Sequence, residues 1–125
     1  MEPNGAGEPS VEGFLVGKPE LTISLFEHFI DQFRNVGIVS LHPTKTMIGI
    51  SNEHKRIAWI TQLGKNFVHV VFPFQRPYPE NLCFQKIAQV PNLYKQFNHH
   101  FRMYSKEDVN AEVLEFMKRA IEGDT

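Results

Sequence analysis

A chain of 125 residues is long enough for one hydrophobic core and short for two. Its formal net charge of −1 lacks the basic surplus of a general nucleic-acid binder, and 42% hydrophobic with 22% charged residues describes an ordinary globular protein. The single cysteine, Cys83, excludes an intrachain disulfide and a cysteine-based zinc site, and no apolar run approaches the ~20 residues of a membrane-crossing helix.

Met1 to about Gly13 is rich in Gly, Pro and Glu and carries too little apolar surface to repay ordering, so a tail over residues 1–13 and one domain over residues 14–122 are expected. No basic-then-apolar secretory pattern opens the chain, which makes the cytoplasm the expected compartment. Pro19 suits a first helical position. Leu25, Phe26, Phe29, Ile30 and Phe33 then recur at helical spacing, and Gly37 is a natural stop. Strands are expected from Ile38 to His42, Lys45 to Ser51, Arg56 to Gln62 and Phe67 to Phe74, joined by polar turns at Asn52–Lys55 and Gly64–Asn66. Short turns between neighbours imply an antiparallel meander.

Gln75 to Asn81, with Pro77 and Pro79, is an extended loop. Phe84 to Gln89 and Asn98 to Tyr104 are read as two further strands, although Leu93, Phe97, Phe101 and Tyr104 also fit helical spacing. Ser105, with Asp108 at the reciprocal capping position, is expected to start a last helix whose apolar side is Val109, Val113, Phe116, Met117 and Ala120. The sum is an α+β domain: an antiparallel sheet with N-terminal and C-terminal helices on one face.

The run Gly17-Lys18-Pro19, then Lys45-Thr46-Met47-Ile48, then Phe97-Asn98-His99-His100-Phe101-Arg102-Met103 and the helix ending Lys118-Arg119-Ala120 resembles the bacterial domain of unknown function 5655. The resemblance spans roughly Glu12 to Ile121 and favours a strand for Asn98 to Tyr104. That family has no established activity, so the resemblance implies a fold and no reaction. In outline the chain is also similar to a small bacterial family proposed as frataxin-like iron chaperones, by fold-level analogy alone.

Alternation along the strands assigns faces. Val68, Val70 and Phe72, with His99, Phe101 and Met103, make the apolar sets expected to face the helices. Lys45, Met47, His69, His100, Arg102 and Tyr104 then fall on the far face, with Trp59. Lys45, Trp59, His69, His100, Arg102 and Tyr104 are therefore the candidate ligand-binding residues. That mixture of cations, histidines and aromatics suits an anionic or aromatic small ligand with Arg102 as oriented donor, a protein partner, or a homodimer interface.

Competing chemistries find little support. His99 and His100 are adjacent on a strand and point to opposite faces, there is no His-Glu-x-x-His spacing, and no carboxylate is obviously placed beside the histidines. Cys83 has only Lys86 as a nearby cation and is read as an inert, buried thiol. No glycine-rich loop leads from a strand into a helix, and the serines lack a nucleophile-elbow context. The expected function is a non-enzymatic binding module without a cofactor, with no nucleic-acid or membrane partner. Metal or iron handling, and an uncharacterised enzyme, are the alternatives.

Overall fold

The computed structural model describes residues 8–124. The tail expected over Met1 to Gly7 lies outside the described residues. The expected boundary at Gly13 moves, because Val11–Leu15 forms a short helix, α1. Ser10 caps it, its Oγ accepting the Gly13 N–H at 2.9 Å, and Val11, Phe14 and Leu15 pack against the main core. Apolar burial by these three side chains outweighs the disorder-prone composition around them.

Helix α2 spans Glu20–Val36 and buries the expected stripe of Leu25, Phe26, Phe29, Ile30 and Phe33. Pro19 is its cap in extended conformation, one residue before the position expected for it. Gly37 does end the helix, but its φ of 174° is extended backbone that any residue adopts. The constraint there is space: a Cβ at Gly37 would lie 2.7 Å from Ile121 Cδ1. Gly37 thus lets the ends of α2 and the last helix approach.

Six strands follow: β1 Ser40–Pro43, β2 Ile48–Ser51, β3 Arg56–Leu63, β4 Val68–Phe74, β5 Lys86–Gln89 and β6 Phe97–Met103. They form one sheet, antiparallel throughout, in the order β1-β2-β3-β4-β6-β5. The expected meander holds through β4 and then breaks, since β6 inserts between β4 and β5. The Pro-containing segment after β4 cannot turn straight back into the ladder. It crosses over, and β5 becomes an edge strand. Residues 90–96 are a closed turn, with Val90 N–H donating to Gln96 C=O at 2.9 Å and Asn92 in the left-handed region at φ 67°. That turn removes the helical alternative.

The last helix, α3, runs Ala111–Ile121 and is capped by Asn110, whose Oδ1 accepts the Val113 N–H at 3.0 Å. Ser105 was expected to start this helix; it starts only a single 3-10 turn, Lys106–Asp108. The Asp108 carboxylate accepts the N–H groups of Tyr104 and Ser105 at 2.7 and 3.0 Å. The capping pattern is thus present, but it closes β6 rather than opening α3.

One core lies between the helices and the inward face of the sheet, joining Leu25, Phe29 and Phe33 of α2 and Val113, Met117 and Ala120 of α3 to Ile48, Ile50, Val68, Val70, Phe72, Phe101 and Met103. His99 is fully buried at its margin, edge-on to Phe74 and Phe84 with ring centroids 5.0 Å away in each case. Its Nδ1 donates to Phe97 C=O at 2.8 Å, so its Nε2 is the acceptor of the Tyr78 N–H at 3.2 Å. This ring tethers the proline-containing loop to the sheet. Among the described residues, no helix is long and apolar enough to cross a membrane.

His99→Ala removes a buried ring and two hydrogen bonds and should cost about 3 kcal/mol in urea unfolding. His100→Ala, one residue on and facing the other way, should cost under ~1 kcal/mol. Equal losses would contradict the face assignment.

Candidate functional site

The far face of the sheet is built by the same alternation that fills the core. In the β4–β6 register His69 sits opposite Arg102 and Val71 opposite His100, while Lys86 of β5 sits opposite His100 from the other side. The outward side chains of three strands meet there.

Proton bookkeeping fixes how they bond. The Arg102 Nε–H donates to His69 Nδ1 at 3.1 Å, so His69 carries its proton on Nε2. Nε2 is 2.9 Å from His100 Nδ1 and donates to it, which leaves the His100 proton on Nε2. The chain Arg102→His69→His100 therefore needs both rings neutral. Burial, then the Arg102 guanidinium, then His100 and Lys86 hold His69 well below the usual histidine range, at about 4. Burial first and Lys86 second lower His100 as well.

Arg102 is also fixed on its face: its guanidinium carbon lies 4.0 Å from the Phe67 ring centre, and Phe67 in turn meets Tyr104 at 6.0 Å. Gly64 makes room for this, since a Cβ there would collide with the Phe67 ring. A second arginine is held in the same way. Arg56 lies over Trp59 at 4.7 Å, its Nε donates to Ser51 Oγ at 3.0 Å, and a Cβ at Gly49 would collide with its guanidinium. Neither arginine has a carboxylate partner among the described residues.

Of the residues expected here, His69, His100 and Arg102 come together, and Tyr104 joins them through Phe67. Trp59 is on the same face but belongs to the Arg56 cluster, across Val71 from His100. Lys45 is elsewhere. It sits at the turn between β1 and β2 and lines a cavity beside α1 with Lys18. Sequence reasoning passed over Arg56 and Lys86 as members of the face, and it left Phe67, which alternation puts on the side of His69, out of the candidate residues. Simple alternation puts Arg56 opposite Trp59; the register shift that pairs Ser51 with Arg56 and Ile50 with Ala58 leaves Ile57 unpaired and turns Arg56 outward. Lys86 required knowing that β5 pairs with β6.

Other chemistry is poorly served. Burial and the neighbouring Glu112 carboxylate push the Cys83 thiol up to about 12, far from a thiolate at neutral pH. No three His, Cys, Asp or Glu side chains gather as a metal site among the described residues. Both nitrogens of His69 already have partners, and Arg102 and Lys86 set positive charge beside the His69–His100 pair.

No family model matches the chain, and neither do any curated protein or solved structure.

His69 has a consequence for stability. Its folded pKa, about 4, lies below the ordinary 6.5, so between these values the unfolded chain binds more protons than the folded one. Stability contributed by neutral His69 is full above about pH 6.5 and is lost as pH falls towards 4. The melting temperature should therefore drop across that window by calorimetry, and His69→Gln should flatten part of the drop. A profile unchanged by His69→Gln would show that the ring titrates freely.

Proposed function

We propose that the chain is a non-enzymatic interaction module whose open sheet face takes an acidic segment of a partner protein. The observation that carries this reading is the pair of ring-seated arginines without carboxylate partners among the described residues. Arg102 is engaged at Nε and across one face, which leaves its two terminal nitrogens for a carboxylate in bidentate contact. His100 Nε2–H and the Lys86 ammonium add donors, and no Asp or Glu belongs to these strand faces. A face that offers donors asks for acceptors.

Charge also ranks the other occupants. A symmetric dimer through this face would bring Arg56, Lys86 and Arg102 against their own copies, which is repulsive. Single-stranded nucleic acid needs bare aromatic faces for stacking. Here a guanidinium already covers one face of both Trp59 and Phe67. The cavity beside α1 and the β1–β2 turn has neither His100 nor Arg102 in its lining, and the open arginine face suits an extended partner better than an enclosed small ligand. Membership of the domain of unknown function 5655 is part of the same proposal, resting on the motifs quoted above. The cytoplasm is the compartment in which we place the module.

Trp59 is the chain's one tryptophan and lies on this face, so its fluorescence reports binding directly. An oligoglutamate peptide should perturb Trp59 emission saturably at low salt and lose affinity as salt rises. Arg102→Ala should weaken it about tenfold, and Arg102→Lys should not restore it, because an ammonium cannot make the planar fork. Undiminished binding by the Arg56→Ala/Arg102→Ala variant, tighter binding of oligouridylate, or a dimer that buries Trp59 in sedimentation and quenching experiments would each overturn the reading.

A further inference from the structure

A cavity of about 680 Å³ opens between α1 and the β1–β2 turn, well separated in composition from the arginine face. Its size falls within the range of small-molecule sites, roughly 300–1,000 Å³. Phe14 and Leu63 supply an apolar part of the wall, and Lys18, Lys45, Thr46 and Thr61 supply donors.

The two lysines reach the cavity from distant points in the chain. Gly17 takes a left-handed turn at φ 78°, which carries the chain from α1 past Lys18 into α2. Lys45 and Thr46 form the tip between β1 and β2. Thr44 holds that tip closed: its backbone N–H donates to Met47 C=O at 2.8 Å, and its Oγ1 donates to the same oxygen at 3.0 Å. Among the described residues, the hydroxyls of Thr46 and Thr61 have no partner and neither lysine is ion-paired. Among the described residues, Glu8 is the one carboxylate at the rim, and it is joined to neither lysine.

We propose that this cavity is a binding site for a small organic phosphate, its phosphoryl group between Lys18 and Lys45 and its apolar part against Phe14 and Leu63. The donor set selects the anion. Two ammonium groups and free hydroxyls arriving from several directions suit a tetrahedral dianion that accepts on all sides. A planar carboxylate is better met by an arginine fork, and the cavity lining contains no arginine. The apolar wall means that the phosphate alone uses only part of the site.

Phenyl phosphate, inorganic phosphate and phenol serve as probes, read by amide shifts in heteronuclear NMR. Phenyl phosphate should shift Lys18, Lys45, Thr46 and Thr61 saturably, more tightly than inorganic phosphate, while phenol alone does not. Lys18→Ala/Lys45→Ala should weaken it about tenfold or more without lowering the melting temperature, because both side chains are exposed. Arg56→Ala/Arg102→Ala should bind it as the parent does, which separates this site from the arginine face. Shifts centred on His69 and Arg102, full binding by the double lysine variant, or no saturation with phenyl phosphate would overturn the proposal.

Discussion

The pairing of β4 with β6 is the contact on which the rest of the molecule depends. It runs without interruption from Val68 opposite Met103 to Phe74 opposite Phe97. Side chains alternate, so this one register decides the core and the outer face together. A slip by one residue would turn His99, Phe101 and Met103 outward and drive His100 and Arg102 under the helices. The cost of burying a guanidinium without a partner forbids that alternative. The fold is therefore specified as much by what the far face cannot bury as by what the near face must.

The same alternation explains what could be read in advance. Long amphipathic patterns survive translation into structure, so α2, the inward sets of β4 and β6 and the outward trio of His69, His100 and Arg102 were all visible as spacing. Three things were not. The insertion of β6 between β4 and β5 depends on a proline-containing crossover whose path is set by tertiary contacts such as Tyr78 N–H to His99. The outward turn of Arg56 depends on a bulge that breaks period two at Ile57. Lys45 counts as a far-face residue only if its strand continues back from Ile48, and Thr44 instead folds that stretch into a turn. Local polar hydrogen bonding overrode a plausible extended pattern.

The histidines gain their meaning from tautomer and position rather than from number. His99 and His100 are neighbours in sequence yet belong to different systems. The first closes a loop over an aromatic cluster, with Nδ1 donating and Nε2 accepting. The second has its acceptor nitrogen turned to His69 and its proton directed away from that bond. Burial is the largest cause of the lowered pKa of each. Desolvation thus keeps three imidazoles neutral in a region that also carries Arg102 and Lys86.

That neutrality bears on what the arginine face can do. A carboxylate beside Arg102 would orient the guanidinium equally well, but it would also cancel the charge and occupy the very fork that a ligand needs. A neutral imidazole accepting one N–H orients the group and leaves the charge intact. Phe67 and Trp59 do the same from the flat side, because a ring holds a cation through its quadrupole without neutralising it. Among the described residues, the arginines that do sit in ion pairs, Arg76 and Arg119, lie off this face, with side chains 68% and 44% exposed. Supporting cations with rings rather than acids gives up the Coulomb attraction of an internal pair. In return the chain keeps two positioned guanidinium groups whose charge has no carboxylate partner among the described residues, and that residual charge is what an external carboxylate would meet.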